Sequence, residues 1–273
     1  MRVGLLRLGQ LSAVPSVLRY ALLVLAGMLQ AFSTAWPWGE AGQGLYGQAL
    51  GSLQVLALAA ALCLIAAGQL PLSTRAAGVA HDLAAYGQTA GAAHMRAGEQ
   101  ARTAHRSFWQ RCCARLSAGF VAGFLRGWCF ATAWLVATFW WLYISSHVYG
   151  GLPAWLSVLA VFLLAAGLGL YYAVACGLWL RWSARQGVVG QVLLFAALWL
   201  LAELCRGVLF TGFPWGAVGY AHVDSGLAGY APWLGVYGLS ALAAGLAALL
   251  WQAVRQLLAR QGLCFAAGAA AVA

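Results

Sequence analysis

The sequence predicts an all-α integral membrane protein, and three observations carry that reading. Of its 273 residues 64% are hydrophobic and 7% charged, too few charges to clothe a soluble domain. Six apolar stretches, at 17–36, 45–67, 121–145, 154–180, 188–210 and 231–258, each reach the ~20 residues that carry a helix across hydrocarbon. The prolines, Pro15, Pro37, Pro71, Pro153, Pro214 and Pro232, all fall at or just outside the ends of these stretches, where a missing N–H disturbs no helix interior.

Residues 1–69 hold the first two spans. The first is read as a retained helix rather than a cleaved leader, because its apolar length is that of a full span. Every Lys/Arg-type cation in the sequence is an arginine, and all but Arg126 and Arg206 fall between the apolar stretches or in their end turns, on the side of alternate connections. The positive-inside rule then places the amino terminus in the cytoplasm and the connections near 37–44, 147–153 and 211–230 outside. The expected setting is multi-pass in a membrane. Residues 70–116 form an arginine-rich cytoplasmic loop in which His81, His94 and His105 are too widely spaced for a compact metal site.

Residues 117–260 hold four further spans. Gly119, Gly123 and Gly127 lead into the third as a GxxxGxxxG series, a signature of close helix approach. Arg126 lies about one turn inside and is expected to snorkel to the surface. The third span closes on WWLYISSHVYGGLP, which brings Trp141, Tyr143, Gly150 and Gly151 to the outer face. On the fifth span Glu203 and Arg206 share one face, either as a structural ion pair turned into the bundle or as an anchor for the loop that follows. That loop, RGVLFTGFPWGAVGYAHVDSGLAGYAP, is too rich in glycine and proline to continue as a helix. Thr211, Gly212, Phe213, Pro214 and Trp215 shape its turn. Two aromatic loops on one face, at the depth of lipid headgroups and esters, suggest a lipid-binding site as well as an interfacial belt. His147 and His222, one in each passage, lack the serine and carboxylate of a hydrolase triad and are not expected to be catalytic. Residues 261–273 read as the opening of a seventh span that stops short.

Other functions fit less well. The formal charge of +10 does not sit on a basic face interleaved with stacking aromatics, so nucleic acid is not the expected partner. No inverted pair of broken helices suggests a transporter. The seven cysteines form neither a disulfide framework nor a zinc spacing, and no metal or cofactor is expected.

The two outer passages together resemble those of the bacterial apolipoprotein N-acyltransferases. The order is Tyr143 to Gly150-Gly151-Leu152-Pro153, then Glu203-x-x-Arg206-Gly207, then Thr211-Gly212-Phe213-Pro214-Trp215, then Gly219-Tyr220 and residues 227–232. The likeness covers most of 128–260. It implies transfer of a phospholipid acyl chain to the N-terminal amine of a diacylglyceryl-cysteine lipoprotein, with both substrates anchored in the outer leaflet. It also implies a Glu–Lys–Cys triad on a nitrilase-like domain that follows the membrane bundle. A sequence without lysine cannot supply that triad, so no catalytic residue is carried over. The chain is expected to be a fragment of such an enzyme, inactive alone. The alternative is a lipid-binding membrane scaffold for a separately encoded nitrilase-like subunit.

Overall fold

In the computed structural model, the described residues are 15–35, 48–67 and 118–270, with side chains described as far as 258. The arginine-rich loop at 70–116 and the cysteines Cys112 and Cys113 lie outside them. Among the described residues seven α-helices follow one another: α1 Ser16–Phe32, α2 Gly51–Ala66, α3 Ala118–Thr138, a short α4 Trp140–Ile144, α5 Ala154–Ser183, α6 Val188–Val208 and α7 Ala231–Ala270. No strand occurs among the described residues.

Four of these, α3, α5, α6 and α7, are long and apolar enough to cross a membrane. The helices within the first two expected spans are shorter, at 17 and 16 residues. Pro15 and Pro153 stand immediately before α1 and α5, where proline's fixed φ starts a helix at no hydrogen-bond cost. The expected third span divides: α3 stops at Thr138, whose hydroxyl bonds back to the Trp134 carbonyl (2.9 Å). Such back-bonding bends a helix, and the chain restarts as α4 before a π turn at Ser145–Tyr149. At the other end, α7 bends at Gly235 (φ 63°) and continues through Ala270.

The long helices close into a ring. α2 packs on α1 and α7, and α6 packs on α5 and α7. α3 completes it from both sides. A Cβ at Gly27 of α1 would come within 2.6 Å of the Phe130 carbonyl oxygen, and one at Gly123 within 2.6 Å of the Cys176 carbonyl oxygen on α5. Gly127 faces the Cys176 side chain at the same separation. The GxxxGxxxG series therefore does bring two backbones together, over its second and third glycines. Lipid tails are as apolar as leucine, so helices gain little by hiding from them and hold together through such contact.

The centre of the ring is aromatic. Trp134, Tyr172, Trp199, Phe195, Trp179 and Trp251, from α3, α5, α6 and α7, form a continuous chain of ring contacts 4.8–6.0 Å between centroids. Arg126 departs from its expected snorkel. Its Nη1 donates to the carbonyls of Ile65 (2.7 Å) and Ala67 (3.0 Å), capping the C-terminus of α2 where the helix dipole is negative.

Gly123→Ala should lower stability by about 1–3 kcal/mol, because the obstacle is backbone that cannot move aside. Gly119→Ala, whose nearest neighbour stands 4.0 Å away, should be neutral or slightly stabilising. Thermal unfolding of the two variants in the same detergent checks the difference.

Candidate functional site

Two irregular passages meet at one end of the ring. The first follows α4. In the π turn Ser146 Oγ donates to the Leu142 carbonyl (2.8 Å), and His147 Nδ1–H donates to the Leu152 carbonyl (2.7 Å). Gly150 is helical, with no room for a Cβ beside the Ser146 carbonyl, while Gly151 has a φ of 67° that favours glycine. His147 thus closes a turn, with Tyr143 beside it at 5.3 Å.

The second passage leaves α6 through consecutive left-handed residues, Phe210, Thr211 and Gly212, with φ of 53°, 72° and 77°. Only glycine takes that conformation freely, and each of the other two costs about 1–3 kcal/mol unless its surroundings enforce it. Enforcement is visible. Gly212 N–H donates to Leu209, Phe213 N–H to Arg206 (2.8 Å), and a Cβ on Gly212 would strike the Gly207 carbonyl.

Glu203 and Arg206 are both buried on α6. Their charges interact along the helix face, and their side chains also hydrogen-bond to the loop. Arg206 Nη1 donates to the carbonyls of Phe213 (2.8 Å) and Trp215 (2.6 Å), and Glu203 Oε1 accepts the Val218 N–H (3.1 Å). Further along, Gly219 N–H donates to Ser240 Oγ (2.8 Å). The spacing of three residues sets both charged groups on one face; freed backbone groups out of reach of water then claim them.

The two passages are packed into one unit. Phe139 meets Phe213 edge-on at 5.0 Å, and Trp141 meets Trp215 at 5.9 Å. Among the residues singled out in the sequence, Trp141, Phe213 and Trp215 come together here. Tyr143, Gly150 and Gly151 belong to the turn around His147. Pro214 is exposed.

Beside this unit, α5 and α6 diverge to leave a groove of about 800 Å³, within the usual size range of small-molecule sites. Its walls are aliphatic, including Leu163, Leu170, Val174 and Leu201, and at one end stand Arg206, Thr211, Gly212 and Phe213. Gly167 faces open space in its wall. An apolar slot with hydrogen-bonding groups at one end matches an amphiphile. The sequence did not reveal this groove, since its walls are ordinary span residues. Gly167 was the available hint.

A family model described as the apolipoprotein N-acyltransferase N-terminal domain matches residues 107–249, over half of the chain. The chain belongs to that family. Among curated relatives, an apolipoprotein N-acyltransferase of Verminephrobacter eiseniae is 41% identical over 252 residues, covering 92% of this chain and 37% of that protein. One of Ralstonia nicotianae is 48% identical over 149 residues, covering 54% of this chain and 28% of its own length. One of Pseudomonas syringae pv. tomato is 42% identical over 137 residues, covering 50% and 27%. The chain thus spans about a third of the length of these relatives. The stretch shared with the family model runs from before α3 into α7 and contains both passages and the groove.

The TGFPW loop is also tied to the far side of the ring. His222 Nε2 and Gln54 Oε1 of α2 are 2.9 Å apart, Nδ1 lies 3.1 Å from Ser225 Oγ, and Gly51 leaves the imidazole its space. Burial pushes His222 below its ordinary value. The unfolded chain therefore binds the proton more readily. The stability from the neutral imidazole is fully present above the ordinary value of about 6.5 and is lost as pH falls from there through the lowered folded value. Thermal midpoints measured from pH 8 to pH 5 should fall for the wild type and stay flatter for His222→Gln.

Proposed function

We propose that this chain is the membrane portion of an apolipoprotein N-acyltransferase, seated in a bacterial inner membrane with its amino terminus in the cytoplasm. Its groove and TGFPW loop hold the phospholipid acyl donor, and the diacylglyceryl lipoprotein acceptor docks at the same end. The observation that carries this reading is the groove between α5 and α6, which ends on a loop locked in place by Arg206 and Glu203. The names of the relatives and the one-sided arginines support the setting.

The residues at hand are suited to positioning. Acyl transfer in the family, by the resemblance, needs a thiolate nucleophile, a carboxylate base and an amine that stabilises the oxyanion. These 273 residues contain no lysine. We therefore assign the bundle the task of fixing a lipid that otherwise diffuses in two dimensions, with its ester held at constant depth beside the loop. The nucleophilic step belongs to residues outside this sequence.

Purified chain incubated with phospholipid and a diacylglyceryl lipopeptide should retain the phospholipid and form no triacylated product. Product formation would overturn the positioning role. In an intact relative, the change equivalent to Trp215→Ala should lower kcat/KM for the lipid by about tenfold, the worth of a lost aromatic contact, while leaving the thermal midpoint in place. Unchanged kinetics would reduce the loop to an interfacial anchor.

A further inference from the structure

Most exposed apolar side chains of the ring stand on regular helix, as lipid-facing residues do. Phe210 breaks that pattern. Its backbone is left-handed, with φ 53° and ψ 49°, and its side chain is 92% exposed, more than that of any other large apolar residue described. Glycine takes this conformation freely, and the same turn has one two residues later, Gly212 at φ 77°. A turn that needed only its shape would be served by glycine at both positions.

The phenylalanine gains nothing from the fold. Phe213 packs edge-on against both Phe139 and Trp215, whereas the Phe210 ring enters no ring contact among the described residues. Nor is its position loose. Thr211 Oγ1 donates to the Phe210 carbonyl, Gly212 N–H to the Leu209 carbonyl and Phe213 N–H to the Arg206 carbonyl, so residue 210 is held from both sides. Strain kept up at an uncovered side chain points to a contact made outside the chain.

The place of the ring says what it meets. Phe210 lines the α5–α6 groove at the end where α6 gives way to the loop. Along α5 the groove runs from Leu163 to Leu178, about 22 Å at the rise of a helix. One leaflet contributes half of a ~30 Å hydrocarbon core. A slot of that length, between two helices that are themselves able to cross a membrane, fits an extended hydrocarbon chain better than a compact ligand.

We infer that Phe210 is a lipid contact: its ring lies along the acyl chain seated in the α5–α6 groove and completes the wall that the protein leaves open beside the loop. The inference rests on the groove being a lipid site, as proposed above. The left-handed turn then holds the ring where the chain leaves the groove, and bound lipid covers aromatic surface that the fold leaves bare.

The test uses the full 273-residue chain, delipidated in detergent, with retained dioleoyl phosphatidylglycerol and the protein's own mass both read by native mass spectrometry. Phe210→Ala should weaken retention about five- to tenfold, the scale of a partly covered aromatic ring, and leave the thermal midpoint in place. Phe210→Gly should lose the lipid equally while its midpoint rises by about 2–4 °C, because the left-handed strain is released. Phe210→Trp should stay within about twofold of the wild type, since it keeps an aromatic face. Gly167→Leu, which fills the groove where a side chain meets nothing, should weaken retention too, and Phe210→Ala should add little on top of it. Wild-type retention in Phe210→Ala beside weakened retention in Gly167→Leu would overturn the inference and leave the groove a lipid site, with the ring an anchor in the surrounding membrane. No lipid on the wild type, or full retention in both variants, would remove the groove reading and the inference together. A midpoint lowered by Phe210→Gly would make the ring a structural element instead. A dimer mass lost in Phe210→Ala would hand the ring to a second copy of the chain.

Discussion

Where a helix ends inside a membrane bundle, its last carbonyls and the backbone beyond it have no water to turn to. The rest of this structure is arranged around that constraint at the end of α6. Arg206 draws the carbonyls of Phe213 and Trp215 onto one nitrogen, Glu203 takes the Val218 N–H, and Ser240 takes that of Gly219. With those bonds made, three successive left-handed residues become tolerable, and the aromatic side chains of the loop are set against Phe139 and Trp141. Without them the backbone would face hydrocarbon with open polar groups.

The groove follows from how the neighbouring helices spend their small residues. One face of α5 is pressed onto α3 by Gly123 and Gly127 against Cys176, and by Gly169 against Thr132, so α5 is drawn toward that partner. α6 is held at the centre by Trp199, which touches Trp134, Tyr172 and Phe195. The remaining gap between α5 and α6 opens beside Gly167 and ends at the locked loop. Packing that stabilises the ring and a slot shaped for an amphiphile are thus two results of one distribution of glycine and tryptophan.

The fold was legible where one residue type carries one physical meaning. Prolines marked span ends because they lack an N–H, and apolar runs marked helices because only a helix can bury its backbone in lipid. Arg126 was misread because a lone arginine near a span end looks the same whether it reaches water or a helix terminus. Its partners, the carbonyls of Ile65 and Ala67, lie about sixty positions earlier in the chain. The division of the third expected span at Phe139 was hidden as well, since Thr138 is compatible with an unbroken helix until its hydroxyl turns back on Trp134.

Composition and spacing were enough to establish an all-helical membrane protein, to set Glu203 and Arg206 on one helix face and to mark both aromatic passages as irregular backbone. Those properties depend on local chemistry and on the period of the helix. The pairing of the passages through Phe139–Phe213 and Trp141–Trp215, the reach of Arg206 to the carbonyls of Phe213 and Trp215, and the groove beside Gly167 came from the folded ring alone. They depend on distances between helices far apart in the chain, which follow from mutual packing and leave no periodic trace in any one segment.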